Sequence, residues 1–149
     1  MSKRRDSRVA GASVAGEATP YAVRIDADGH ALRADEPVAH GGQDSGPAPF
    51  ALVMSGLGAC TAITLRMYAE RKGWPLDGIE VRLAYHVADP ATRWIDRVVT
   101  LAGPLDDEQR ARLAEIAEKT PVTVAVKAGT EIRTTFDKGD AGGQVSGSA

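Results

Sequence analysis

"PFALVMSGLGACTAITLRMYAERK", residues 49–72, decides how the rest of this chain can fold. Pro47 and Pro49 fit a helix only at its start, where no backbone donor is missed. Gly73 supplies a stop, and Pro75 prevents continuation. Asp44 or Ser45, just upstream, is a candidate cap. At 1.5 Å per residue the helix is roughly 36 Å long, as long as a small domain is wide. Its polar residues gather in the last turns, at Arg66, Glu70, Arg71 and Lys72. The N-terminal two-thirds is apolar all round and must be covered on every side. A short chain has little else to cover it with, so a second subunit is expected. Length alone makes the segment a membrane-span candidate. Ser55, Gly56, Gly58, Thr61 and Thr64, with no second span following, favour instead a helix buried in a soluble core.

Outward from the helix, hydrophobic periodicity changes from helical to alternating. On the N-terminal side, "YAVRIDADGHALRADEP" (21–37) reads as two strands around Asp28-Gly29, a hairpin turn pair. "VAHGGQDSGPAP" (38–49) is a loop dense in Gly and Pro. On the C-terminal side, Ile79, Val81, Leu83, Tyr85 and Val87 alternate with polar or small residues, as in a half-buried strand. "DPATR" (89–93) turns the chain, and "WIDRVVTLAG" (94–103) returns beside it. Asp106 and Gln109 have capping-box spacing for a second helix, whose core stripe is Leu113, Ile116 and Ala117. Pro121 disturbs that helix, and "TEIRTTF" (130–136) is expected to close the domain as a last strand. The order ββ-α-ββ-α-β, with hairpins rather than crossovers, predicts an α+β fold with largely antiparallel sheet.

The chain has 149 residues, enough for one domain. Residues 1–18 and 138–149 lack the apolar surface to offset ordering and are expected to be disordered tails around a domain at 19–137. A net charge of −2 gives no general attraction for nucleic acid or anionic lipid. A single cysteine forms no internal disulfide, and a free thiol suits a reducing compartment, so the cytoplasm is the default.

The candidate chemistry is sparse. His30, His40 and His86 are far apart, fall in no metal-binding pattern, and read as solvated. "HGGQDSGP" (40–47) precedes a helix start, but it has neither GxGxxG nor a P-loop lysine and reads as a glycine turn. Asp35, Glu36 and Asp44 flank the same loop and could gather at a site or simply be solvated. Arg66 and Glu70 have the spacing of a helix-surface pair. Neither a cofactor nor a metal is expected. Cys60 remains. Along its helical stripe lie Val53, Gly56, Leu57, Ile63, Thr64 and Met67, with no cation to lower its pKa. It reads either as an inert packing thiol or, given the small residues Gly56, Gly58 and Ala59 beside it, as a thiol at a close helix contact or ligand space.

The DEP…GG.D.GP.P loop, the LGACTA segment, the RMYAERKGWPLDG exit and "GPLDDEQRARLAEIAEKTPV" (103–122) together resemble the OsmC/Ohr family across residues 20–136. The resemblance implies an α+β, OsmC-like fold with a long central helix and a second helix, in which two chains intertwine as a homodimer. It also implies thiol-dependent reduction of organic hydroperoxides, with Cys60 as the peroxidatic, catalytic cysteine. The partners implied are a hydroperoxide substrate and a thiol reductant, and neither nucleic acid nor a membrane. Three positions depart from the family pattern. The second cysteine would precede Pro121-Val122, where Thr120 stands. Phe50 and Ala51 occupy the region of a family glutamate. The arginine partner has Arg24 and Arg33 as candidates. An external thiol must then regenerate Cys60. The alternative is a non-catalytic OsmC-like dimer that binds a small apolar ligand or a protein partner.

Overall fold

The computed structural model describes residues 7–139. Of the two expected tails, residues 1–6 and 140–149 therefore lie outside the described residues. Strands β1 (Ala12–Gly16), β2 (Val23–Ala27) and β3 (His30–Ala34) form an antiparallel meander. A single 3₁₀ turn, Val38–His40, leads into helix α1 (Pro49–Lys72). Strands β4 (Gly78–Asp89) and β5 (Thr92–Ala102) make a long antiparallel hairpin, followed by α2 (Asp107–Ala117) and α3 (Pro121–Ala128). The architecture is α+β with wholly antiparallel pairing, as the alternation predicts.

Helix α1 has the expected bounds. Pro49 occupies its first turn, and Gly73 ends it in the left-handed conformation at φ 67°. The Asp28-Gly29 turn has positive φ at both residues, 48° and 90°. That is the type I′ geometry whose twist matches its flanking strands. The capping box also forms: Gln109 N donates to Asp106 Oδ1 at 2.7 Å, and Asp106 N donates to Gln109 Oε1 at 3.0 Å.

Four expectations are corrected. Residues 12–16, assigned to a disordered tail, form β1 in register with β2 from Ala12↔Ala27 to Gly16↔Val23. All five residues are exposed, so the strand is held by backbone pairing that leaves no hydropathy signal. An Arg8–Asp28 ion pair at 2.9 Å supports its start. Pro121 does not merely disturb the second helix: α2 stops at Ala117, and Pro121 opens a separate helix, α3, with Thr120 as its N-cap. Residues 130–136 form no strand; no edge pairs with them among the described residues, and Ile132 and Phe136 are 87% and 94% exposed. Neither Asp44 nor Ser45 caps α1. The N-cap is Ala48, with no side-chain bond, because Ser45 turns its hydroxyl to Asp35 instead.

The core lies between the C-terminal half of α1, α2 and the inner face of the hairpin. Leu65, Ala69, Leu76, Leu105, Leu113 and Ala117 are buried there, with Tyr68, Trp74, Ile79 and Val99 packed around them. Arg110 fastens its end by donating to the carbonyls of Leu101, Gly103 and Leu105. Further along, α1 crosses β4 closely. A Cβ at Gly58 would come within 2.9 Å of Leu83 Cδ1, so only glycine permits this approach without a shift. A single stripe of α1 is buried: Leu57, Gly58, Thr61, Leu65 and Ala69. Phe50, Val53, Ile63 and Met67 remain about half exposed on its other sides. The helix is long and apolar enough to cross a membrane by length and composition. The buried stripe seats it on the hairpin and leaves the remaining apolar surface open within one chain.

Candidate functional site: a central-helix thiol and an arginine-centred node

Cys60 is a free, half-buried thiol midway along α1. Three residues on from Leu57 is about 60° round the helix, away from the sheet-packed stripe. Cys60 thus projects onto the open stripe, between Val53 and Met67, although it is less exposed than they are. Its neighbour Thr61 is fully buried and faces the hairpin.

There Thr61 meets Arg97. Residues Ile95, Arg97, Val99 and Leu101 share the inner face of β5. Arg97 is the one cation among them, and its side chain is 12% exposed. The guanidinium donates to Thr61 Oγ1 at 3.1 Å, to Thr123 Oγ1 at 2.8 Å and to the Ala117 carbonyl at 3.1 Å. It also pairs with Glu118 Oε1 at 3.2 Å. One side chain therefore ties β5 to α1, to the end of α2 and to α3. A planar fork with five donors suits such divergent acceptors. Thr61 in turn donates to the Leu57 carbonyl at 2.8 Å, so its hydroxyl is used as donor and acceptor. Thr120 is buried, and its hydroxyl lies 2.6 Å from that of Thr123. Glu118 also accepts from Lys127. The Lys127 ammonium, aided by Arg97, holds the Glu118 carboxyl below the usual carboxylate range against a desolvation cost.

A cleft of ≈ 540 Å³ opens above this node, between α1, the hairpin and α3. Leu57, Tyr85, Ile95 and Val126 supply its apolar surface, while the Trp94 indole stacks on His86 on the other face of the hairpin. Arg93, Arg97, Lys127 and Glu118 supply its charges. Cys60 is not part of the lining. Phe50 stacks on Tyr85 with ring centroids 4.3 Å apart, which closes the N-terminal end of α1 with aromatic surface.

The other candidates do not converge on this place. Asp35 is buried, 3% exposed, and accepts from the amides of Glu36, Gln43 and Ser45 and from the Ser45 hydroxyl. The Ser45 hydroxyl, then these amides, hold its carboxyl below the usual range. Loop amides that could have cradled a phosphate thus hold an internal carboxylate. The same loop packs so tightly that a Cβ at Gly42 would lie 1.9 Å from the Glu36 carbonyl oxygen. Asp35, Glu36 and Asp44 therefore form no shared acidic site: Glu36 faces His40 at 3.5 Å, and Asp44 is exposed. His30 is exposed at the start of β3, and His86 stacks on Trp94 and approaches Asp96 at 3.1 Å. Among the described residues no cluster of three or more metal-ligating side chains occurs. Arg66 does not pair with Glu70; it reaches the carbonyls of Leu76 and Asp77 beyond the helix end. Arg33 is tied to Glu17 at 2.8 Å and to Ser45 Oγ at 3.0 Å, while Arg24 stands opposite it in the register.

The family model for OsmC-like proteins matches residues 42–135, which hold α1, the hairpin, α2 and α3. The chain belongs to the OsmC-like family. Among solved structures, the fold is similar to an OsmC-like protein from Mycoplasma pneumoniae. That likeness has 15% identity and a TM-score of 0.70, covering 82% of this chain and 89% of that one. The organic hydroperoxide resistance protein OsmC of Legionella pneumophila is similar at 20% identity and TM-score 0.63, covering 80% and 90%. The organic hydroperoxide resistance protein OhrB of Bacillus subtilis is similar at 23% identity and TM-score 0.58, covering 80% and 91%. At these identities the likeness is one of fold. No match is found among curated proteins.

In this OsmC-like chain, the residues that sequence reading missed are Arg97, Glu118, Lys127 and Tyr85. One signal was available for Arg97. The alternation of β5 places it on the same face as Ile95, Val99 and Leu101, and a charge at an apolar-face position needs buried partners.

Proposed function

We propose that this OsmC-like protein reduces organic hydroperoxides with Cys60 as the reacting thiol, as a cytoplasmic homodimer. The observation that carries the reading is the place of the sole cysteine in an OsmC-like chain: half-buried on the central helix, on an apolar stripe that a second chain would cover. The Cys60 thiolate attacks one peroxide oxygen, and the O–O bond breaks. The departing alkoxide takes a proton and leaves as the alcohol, while sulfur is oxidised to a sulfenic acid. An external thiol then displaces water from the sulfenic acid and forms a mixed disulfide. A second thiol releases Cys60 and carries away the oxidised pair. The external thiol is required because Thr120 is a buried hydroxyl bonded to Thr123, and a hydroxyl forms no disulfide.

The second reading is a non-catalytic dimer that binds a ligand or protein. It is favoured by Thr120 and by Phe50, which stacks on Tyr85 where a polar catalytic partner would be needed. One experiment separates the two. The protein receives a stoichiometric pulse of tert-butyl hydroperoxide, and Cys60 is followed by mass spectrometry with a sulfenic-acid trap. Peroxide loss in the presence of a dithiol is measured in parallel. Peroxidase action requires trapped sulfenic acid and a rate abolished in Cys60→Ser. Equal, slow peroxide loss in both proteins would establish the non-catalytic reading.

A further inference from the structure

The cleft between the hairpin and α3 combines two features that do not depend on Cys60 chemistry. Its volume of ≈ 540 Å³ lies in the range of small-molecule sites. One part is apolar, with Tyr85, Ile95 and Val126. The charged part holds three cations, Arg93, Arg97 and Lys127, against one carboxylate, Glu118. That is a local excess of positive charge on a chain whose net charge is −2. Glu118 is already engaged by both Arg97 and Lys127. Arg93 has no acidic partner among the described residues; its guanidinium meets only the Pro90 carbonyl. The strand alternation puts Arg93 on the same face of β5 as Ile95 and Arg97, where its guanidinium offers a bidentate hydrogen-bond pair to an anion, with Tyr85, Ile95 and Val126 as an apolar wall for what the anion is attached to.

We propose that this cleft binds a small amphipathic carboxylate: an aryl- or alkyl-carboxylate whose anionic end meets Arg93 and Lys127 and whose apolar body lies against Tyr85, Ile95 and Val126. Arg97 frames the site and is not required to move, because its donors are committed to Thr61, Thr123 and Ala117. The proposal stands whether or not Cys60 reduces peroxides.

The test is calorimetric titration of the full-length protein with 4-phenylbutyrate and with its neutral analogue, 4-phenylbutyramide. The carboxylate is expected to bind about tenfold more tightly than the amide, as charge-assisted bonds allow. Raising the salt concentration removes part of that preference. The double variant Arg93→Gln/Lys127→Gln abolishes the preference and leaves the weaker amide binding in place. Both side chains are exposed, and circular dichroism verifies that the variant is folded. Tyr85→Ala weakens both compounds. The proposal is overturned if neither compound binds, if the two bind equally, or if the double variant retains the wild-type preference.

Discussion

Replacing Arg97 by methionine keeps an unbranched apolar stem on the inner face of β5 and removes the guanidinium. Three of its hydrogen bonds end on buried residues: Thr61 at 0%, Thr123 at 3% and Ala117 at 6% exposure. Each such bond contributes about 1 kcal/mol net. The Glu118 partner is 57% exposed, so that ion pair adds about 0.5 kcal/mol. The loss is therefore about 3.5 kcal/mol. For a folded unit of this size it corresponds to a fall of about 10 °C in melting temperature. Urea unfolding followed by far-UV circular dichroism measures it, with protein concentration held constant so that any subunit association contributes equally. Arg97→Lys is expected to recover little, because an ammonium is a compact charge and does not reach acceptors on three elements at once. A double-mutant cycle with Thr123→Val should give a coupling of about 1 kcal/mol. If Arg97→Met unfolds within about 0.5 kcal/mol of wild type, Arg97 is not the clamp described, and the orientation of α3 must be fixed by apolar packing alone.

Two other consequences are open to measurement. The Asp35 carboxyl is held below its ordinary value by the Ser45 hydroxyl and loop amides. A depressed folded pKa means that its contribution is fully present above the unfolded value, about pH 4, and is lost as pH falls through the lower folded value. Urea midpoints between about pH 2 and pH 6 should decline steeply for wild type, whereas Asp35→Asn should be less stable at neutral pH and flatter in acid. A parallel decline in the two proteins would contradict the assignment. Ile63 and Met67 lie on the open stripe of α1, so the proposed dimer should sediment as a dimer in wild type and as a monomer in Ile63→Glu/Met67→Glu; a monomeric wild type would refute it. An unchanged dimer would place the subunit contact elsewhere.

Much of the architecture is written in local chemistry. The ends of α1 follow from Pro49 and Gly73, because proline tolerates only the first turn and glycine accepts the left-handed exit. The Asp28-Gly29 turn, the hairpin alternation and the Asp106–Gln109 box are likewise short-range, and each depends on residues a few positions apart. The elements that sequence missed depend on partners far along the chain. β1 has no apolar pattern and exists because β2 offers it a backbone edge. Residues 130–136 alternate like a strand yet pair with no described edge, and alternation without a partner satisfies no backbone groups. The segment Pro121–Ala128 has β-branched residues suited to a strand, but its amphipathic face is packed beside α1, and helix prevails.

The sequence by itself determined an α+β chain built around one long apolar helix, a sole thiol within that helix, and a resemblance that the family match bears out. The tertiary structure decided what meets Thr61, the residue after the thiol. It brought Thr61, Thr123 and Glu118 to Arg97 across separations of 36, 26 and 21 residues. It turned Thr120 inward and assembled the cleft from three separate elements. The physical reason is range. Helix ends and turns are set by dihedral preference and neighbouring hydrogen bonds, which a short stretch encodes. A buried guanidinium is stable only where distant acceptors converge on it, and that convergence arises when the elements pack.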